Sequence, residues 1–244
     1  MNASRAELAN RVSPDASVAP RRIVHHVQGR QHGPIKRLVA AVLSLVLASA
    51  AAAEGADIKT PKGTYKNDPY HSSLTFKIDH MGLSHYTARF IKFDATLDLD
   101  PAKLGSSSVT VNIDPTSVRT DYSGDFKAGH KDSEYKTFDE EITRGDKFLN
   151  ADKFSTINFK STKVVQAGNT LKVTGDLTFL GVTKPVTLLG SVVGSVEKHP
   201  LLGKGVVGFS ATGTVKRSDW GMTGTQAFLG DDVTIIFEGE FDQQ

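Results

Sequence analysis

A chain of 244 residues without a single cysteine has neither disulfides nor thiolate chemistry at its disposal, whatever its compartment. Its formal charge of +2 originates in the first 53 residues; the remainder carries 22 Lys and Arg against 25 Asp and Glu, a net charge of −3. A weakly acidic body with no Lys/Arg stripe argues against nucleic acid as a partner.

Residues 1–34 are rich in Arg, Ser, Pro and His and show no periodicity. We expect them to be an upstream extension that is not translated, with the true start near Ile35. Lys36-Arg37 then precede an uncharged apolar run, Leu38 to Ala48, and small residues follow to Ala53. This is the basic, apolar and small-residue order of a secretory signal peptide. The run falls short of the roughly 20 residues that span a bilayer. A signal peptide over 35–53, cleaved near Ala53-Glu54, predicts a periplasmic or secreted domain over 54–244.

From Thr64 onward the hydrophobic pattern has period two, the signature of half-buried strands. Leu74, Phe76, Ile78 and His80 share one face, and Phe93, Ala95, Leu97 and Leu99 alternate with Asp94, Thr96 and Asp98. Further alternating segments cover Ser107–Asp114, Thr156–Gln166, Leu171–Leu180, Pro185–Val196, Val206–Arg217 and Asp231–Phe241. Links such as Ala167-Gly168-Asn169 and Gly181-Val182-Thr183-Lys184 are too short for parallel crossovers, so sequential strands are antiparallel neighbours. The expected fold is all-β: one antiparallel eight-stranded barrel, closed to remove its edges. A barrel of that size is filled by side chains or holds one slender ligand. Residues 121–152 are polar and lack alternation, so a short helical turn around Phe148 is expected to fold across one end.

Motifs for catalysis are sparse. Gly203-Lys204-Gly205-Val206-Val207-Gly208 has dinucleotide-fingerprint spacing but leads into a strand rather than a helix, which disqualifies it. His80 and His85 lie near Asp79, yet no paired metal-ligand spacing occurs, so neither a metal nor another cofactor is expected. Thirteen Phe and the strand glycines Gly175, Gly190, Gly208 and Gly213 fit either a tunnel or a filled core with glycines at barrel corners.

The residues then resemble the YceI-like family of polyisoprenoid-binding proteins. The resemblance rests on His71-Ser72, Leu74, Phe76, Ile78 and His80-Met81-Gly82, on Arg89-Phe90, Phe93-Asp94 and Thr116-Ser117-Val118, and on Phe148-Leu149-Asn150 and Phe159-Lys160-Ser161-Thr162. Its most specific pieces are Gly175–Leu188 (GDLTFLGVTKPVTL) and Lys216–Met222 (KRSDWGM). Ala88 and Ala95 stand where the family commonly has Gly, and Asp139-Glu140-Glu141-Ile142 replaces its Arg-Asp-x-His-Leu stretch. The resemblance implies a lipocalin-like barrel whose tunnel takes an isoprenoid, quinone-like or fatty-acyl chain, and it leaves a homodimer open.

On this reading the protein is an envelope lipid carrier or reservoir, not an enzyme. Leu74, Phe76, Ile78, Phe90, Phe93, Val111, Ile113, Phe159, Leu177, Phe179, Leu188, Phe209, Val215, Ile235 and Phe237 are expected to enclose the tail. Phe76, Ile78, Phe159, Phe179, Phe209 and Phe237 are expected to line one connected cavity, since inward and outward positions alternate. His80, Arg119, Arg217 and Trp220 are the expected head-group residues. Leu201 and Leu202 are the expected portal, touching the membrane transiently during exchange. Two rival readings are an enzyme with His80 as acid or base, and a solid-core module whose partner binds residues 121–152.

Overall fold

The computed structural model describes residues 57–244; the expected upstream extension, signal peptide and cleavage point lie outside the described residues. Ten strands form one sheet: β1 (Gly63–His80), β2 (Ser84–Phe90), β3 (Phe93–Leu99), β4 (Ser108–Ile113), β5 (Val118–Arg119), β6 (Ile157–Ala167), β7 (Thr170–Phe179), β8 (Val182–Val196), β9 (Val206–Lys216) and β10 (Leu229–Gln243). All pairings are antiparallel. The order is β10-β9-β8-β7-β6-β4-β3-β1-β2-β5, and β10 also pairs with β1, which closes the sheet. β2 and β3 both run against β1, at Leu74–His80 and Gly63–Lys66 respectively, and act as one wall strand broken at Ile91-Lys92. The closed wall therefore has eight strands.

The break has a cause in the partner strand. Pro69 lacks a ladder donor, and β1 bulges at Asp68–His71, between Asn67 and Ser72, the kind of site to which a strand proline is confined. The Asn67 side chain repairs the ladder by accepting from the Ala95 N–H at 2.7 Å.

The β7–β8 turn consists of Leu180 and Gly181, with φ 46° and 74°. Two successive left-handed residues match the twist of the flanking strands. β8 therefore starts at Val182, three residues before the expected Pro185. Gly175 is needed for close approach: a Cβ there would lie 2.5 Å from the Phe159 ring and 2.5 Å from the Lys160 carbonyl. The glycine leaves space into which the Phe159 ring packs, and is not a void in the lumen.

The register puts the β3–β4, β6–β7 and β8–β9 links at one end of the barrel. Tyr65, Leu97, Leu99, Leu104, Leu171, Val207 and Phe241 are buried there as one cluster. Each such side chain contributes about 1.5–3 kcal/mol by leaving water, and together they plug that end. The opposite end receives the β1–β2, β7–β8 and β9–β10 links and the long β4–β6 connection. In that connection, α1 (Phe126–Gly129) and α2 (Phe138–Arg144) lie before Phe148. The helix expected around Phe148 is thus displaced to 138–144.

Its boundary has a local reason. Thr137 caps α2 by accepting from the Glu140 N–H, and the Glu140 carboxylate accepts from the Lys136 N–H, close to a capping box. Asp139 accepts from both the N–H and the hydroxyl of Thr120, tying the helix to the end of β5. The acids also stand in the first helical turn, where the helix dipole favours negative charge.

Candidate functional site

The barrel is hollow. Alternation turns one face of each strand inward, and at the end capped by α2 those faces do not meet. They leave a cavity of about 820 Å3. Barrel residues Leu74, Phe76, Ile78, Phe90, Ile113, Leu177, Phe179, Val215 and Ile235 line it, and the cap adds Phe138, Ile142, Phe148 and Leu149. Its polar lining includes the exposed His80, Ser84, His130 and Lys147, which mark the mouth.

A second cavity of about 180 Å3 lies deeper, toward the plugged end, lined by Phe93, Val111, Phe159, Leu188, Phe209 and Phe237 among others. Leu74, Ile113, Leu177 and Ile235 border both cavities and form a waist between them. The six aromatic and aliphatic residues expected around one cavity are thus divided: Phe76, Ile78 and Phe179 line the outer lobe, and Phe159, Phe209 and Phe237 the inner. Crowding explains the narrow inner lobe, where Phe237 meets Phe93 edge-on at 6.2 Å and Phe241 at 5.9 Å.

The four expected head-group residues separate. His80 lines the mouth. Asp79 does not orient it: its carboxylate accepts from the Gly82 N–H at 2.8 Å. His80 faces Ser84 across the hairpin while His85 faces Asp79, so the two histidines lie on opposite faces and do not meet. Arg217 also borders the outer cavity but is only 2 % exposed. Its guanidinium donates to four main-chain carbonyls, of Gly230 (2.9 Å), Met222 (3.0 Å), Gly224 (2.6 Å) and Leu229 (3.1 Å). Burial pushes its pKa down, opposed by the nearby Asp231 carboxylate. These carbonyls satisfy the buried cation, and through them Arg217 staples the β9–β10 connection. Trp220 borders neither cavity; it is buried behind Phe179, its indole N–H donating to the Leu177 carbonyl at 3.2 Å. Arg119 also lies outside both, half-exposed, donating to the Val118 carbonyl and 3.9 Å from Asp139.

The expected portal lies at the wrong end for the larger cavity. Leu201 and Leu202 are 88 % and 47 % exposed in the β8–β9 turn and line neither lobe. Gly205 beneath them donates to the Gln243 side chain and packs against Pro61 and the Tyr65 hydroxyl.

Sequence reasoning missed much of the mouth and cap. Tyr86, Phe138, Ile142, Leu149, Met222, Phe228, Leu229 and Val233 all line the outer cavity. Phe138 and Ile142 stand at i and i+4 behind a Thr-x-x-Glu signature, which was enough to locate α2. The Tyr86 hydroxyl is buried without a hydrogen-bond partner among the described residues. Burial pushes its pKa up; the neighbouring Thr120 hydroxyl opposes that shift but donates to Asp139. Outside the lumen, Asp68 and His71 on the β1 bulge and Glu240 on the adjacent β10 bring potential metal-ligand atoms within 4.8 Å of one another. There the Asp68 carboxylate bonds the His71 ring at 2.6 Å, and this hydrogen bond raises the histidine's pKa.

Known proteins resemble this chain in sequence and fold. A family profile described as a YceI-like domain matches residues 65–241. A UPF0312 protein of Vibrio cholerae is 35 % identical over 206 residues, covering 84 % of this chain and 97 % of the relative. The YceI protein of Shigella flexneri is 32 % identical over 209 residues, 86 % of this chain and 98 % of the relative. Among solved structures, the Campylobacter jejuni YceI protein superimposes with a TM-score of 0.55 at 29 % identity, covering 69 % of this chain and 91 % of that one. BcnA of Burkholderia cenocepacia shares the fold, with a TM-score of 0.58 at 23 % identity over 71 % of this chain and 98 % of its own. With the profile spanning well over half its length and relatives above 30 % identity along nearly their whole length, the chain belongs to the YceI-like family.

Proposed function

We propose that this protein binds a long apolar lipid, of isoprenoid, quinone-like or fatty-acyl type, inside the barrel and serves as an exported carrier or reservoir in the cell envelope. The observation that carries the reading is the outer cavity of about 820 Å3, lined mainly by aliphatic and aromatic side chains, with a narrower apolar lobe behind it. Its size falls within the roughly 300–1,000 Å3 of small-molecule sites. Burying ten methylenes at ~0.8 kcal/mol each supplies roughly 8 kcal/mol before association costs, which favours a tail longer than that. The waist and inner lobe would receive its end. His80 and Ser84, at the mouth, are the side chains for a polar head group. Binding without chemistry is favoured by the environment of His80, whose neighbouring carboxylate is engaged in the turn, whereas acid–base work needs an oriented base.

Gentle purification followed by native mass spectrometry and solvent extraction tests the proposal. One lipid of the stated classes per chain is expected. A protein that carries no lipid and takes none from detergent micelles of a prenyl quinone or a fatty acid would refute it. N-terminal sequencing of the protein recovered from the envelope tests export, with a start near Glu54 expected.

A further inference from the structure

The mouth of the outer cavity has an unusual hairpin turn. Met81 and Gly82 occupy its two central positions with φ 58° and 68°, and the Leu83 N–H donates to the His80 carbonyl at 3.0 Å. Turns with two left-handed central residues normally take Asn, Asp or Gly, because a Cβ makes that conformation strained. Here the first position is a methionine, 52 % exposed, followed across the turn by Leu83, 81 % exposed. A residue that suits neither the backbone nor the solvent points to a role outside folding. The β9–β10 connection adds Phe228, 56 % exposed, whose carbonyl accepts from the Met81 N–H at 2.8 Å. The two loops are thereby tied into one apolar lip.

The lip is continuous with the lumen. Phe228 itself, and His80 and Ser84 on either side of the turn, line the outer cavity. The exposed leucines at the other end have no such connection, since neither Leu201 nor Leu202 lines either cavity. Resting on the reading that the ligand is a long lipid, we propose that Met81, Leu83 and Phe228 insert into the surface of a lipid bilayer while the ligand passes between bilayer and barrel. A bilayer is the occupant that fits, because it holds such a ligand and presents the tail to the lip without exposing it to water. Side chains of this type bind membranes by burying apolar area at the interface.

The test is Met81→Asn with Leu83→Ser, since neither side chain lines a cavity and Asn suits the turn. Against phosphatidylcholine vesicles carrying a fluorescent prenyl lipid, the variant should transfer lipid at least about tenfold more slowly than wild type and float less with the vesicles. Its loading from detergent micelles should match wild type, its thermal unfolding should match or exceed that of wild type, and Leu201→Ser with Leu202→Ser should transfer normally. Unchanged transfer by the lip variant, or slowed transfer by the Leu201/Leu202 variant alone, would overturn the proposal. Wild-type protein that loads from micelles but takes no lipid from vesicles would assign the lip to a protein partner and overturn the bilayer. Failure of wild type to load even from micelles would instead overturn the underlying binding reading.

Discussion

Replacing Arg217 by Met separates a head-group role from a structural one. The guanidinium donates to the carbonyls of Gly230, Met222, Gly224 and Leu229, holding residues 222–230 against the end of β9. A neutral hydrogen bond contributes about 1 kcal/mol net and a charged one about 1.5–3. Four bonds therefore amount to at least ~4 kcal/mol by these values. Removing the charge also relieves the burial that depresses its pKa, which pulls the net toward the lower figure. At roughly 2–4 °C per kcal/mol for a domain of this size, Arg217→Met should melt about 8–16 °C below wild type. Thermal and urea unfolding followed by circular dichroism measure this. Lipid uptake at a temperature where the variant is folded should persist. A variant that melts within about 2 °C of wild type yet takes up no lipid would refute the reasoning and return Arg217 to the head group.

Gly175→Ala should cost ~1–3 kcal/mol in urea unfolding, as overpacking does, because the new Cβ meets the Phe159 ring and the Lys160 carbonyl at 2.5 Å each; an unshifted midpoint would contradict the packing. Leu177→Trp, at the waist bordering both cavities, should close off the inner lobe. Binding of acyl chains of graded length should then stop improving at a shorter chain than in wild type, losing up to ~0.8 kcal/mol per excluded methylene. Tyr65 and Tyr86 have phenols held above their ordinary range, chiefly by burial. The unfolded chain releases those protons near about pH 10 while the folded chain retains them. Stability is therefore fully present below that pH and falls as pH rises through the folded-state values; an equal urea midpoint on both sides of the transition would argue otherwise. Tyr86→Phe removes a buried hydroxyl without a partner among the described residues and should leave stability unchanged or raise it by ~1 kcal/mol.

The wall of the barrel was legible in the sequence, because alternation and turn chemistry are local. Leu74, Phe76 and Ile78 face inward since a strand turns every second residue the same way, and the short links leave antiparallel neighbours as the outcome. β2 escaped this reading although Tyr86, Ala88 and Phe90 alternate with polar neighbours; seven residues carry little signal, and β2 and β3 continue one another along β1. A short helix across one end was expected, centred on Phe148 and not on 138–144, where the Thr137-x-x-Glu140 signature marks it; the contacts of Phe148 and Leu149 with the lumen arise only where chain distant in sequence meets them. Arg217 shows the same limit: parity aims it inward, but the carbonyls that satisfy it come from the folded-back connection. The most consequential non-local result is the direction of the opening. Leu201-Leu202 and Met81-Leu83 are both apolar turns by sequence, and either end of a barrel is an opening until its plug is known. Packing of Tyr65, Leu99, Val207 and Phe241, drawn from β1, β3, β9 and β10, closes one end, and only tertiary structure brings those four strands together.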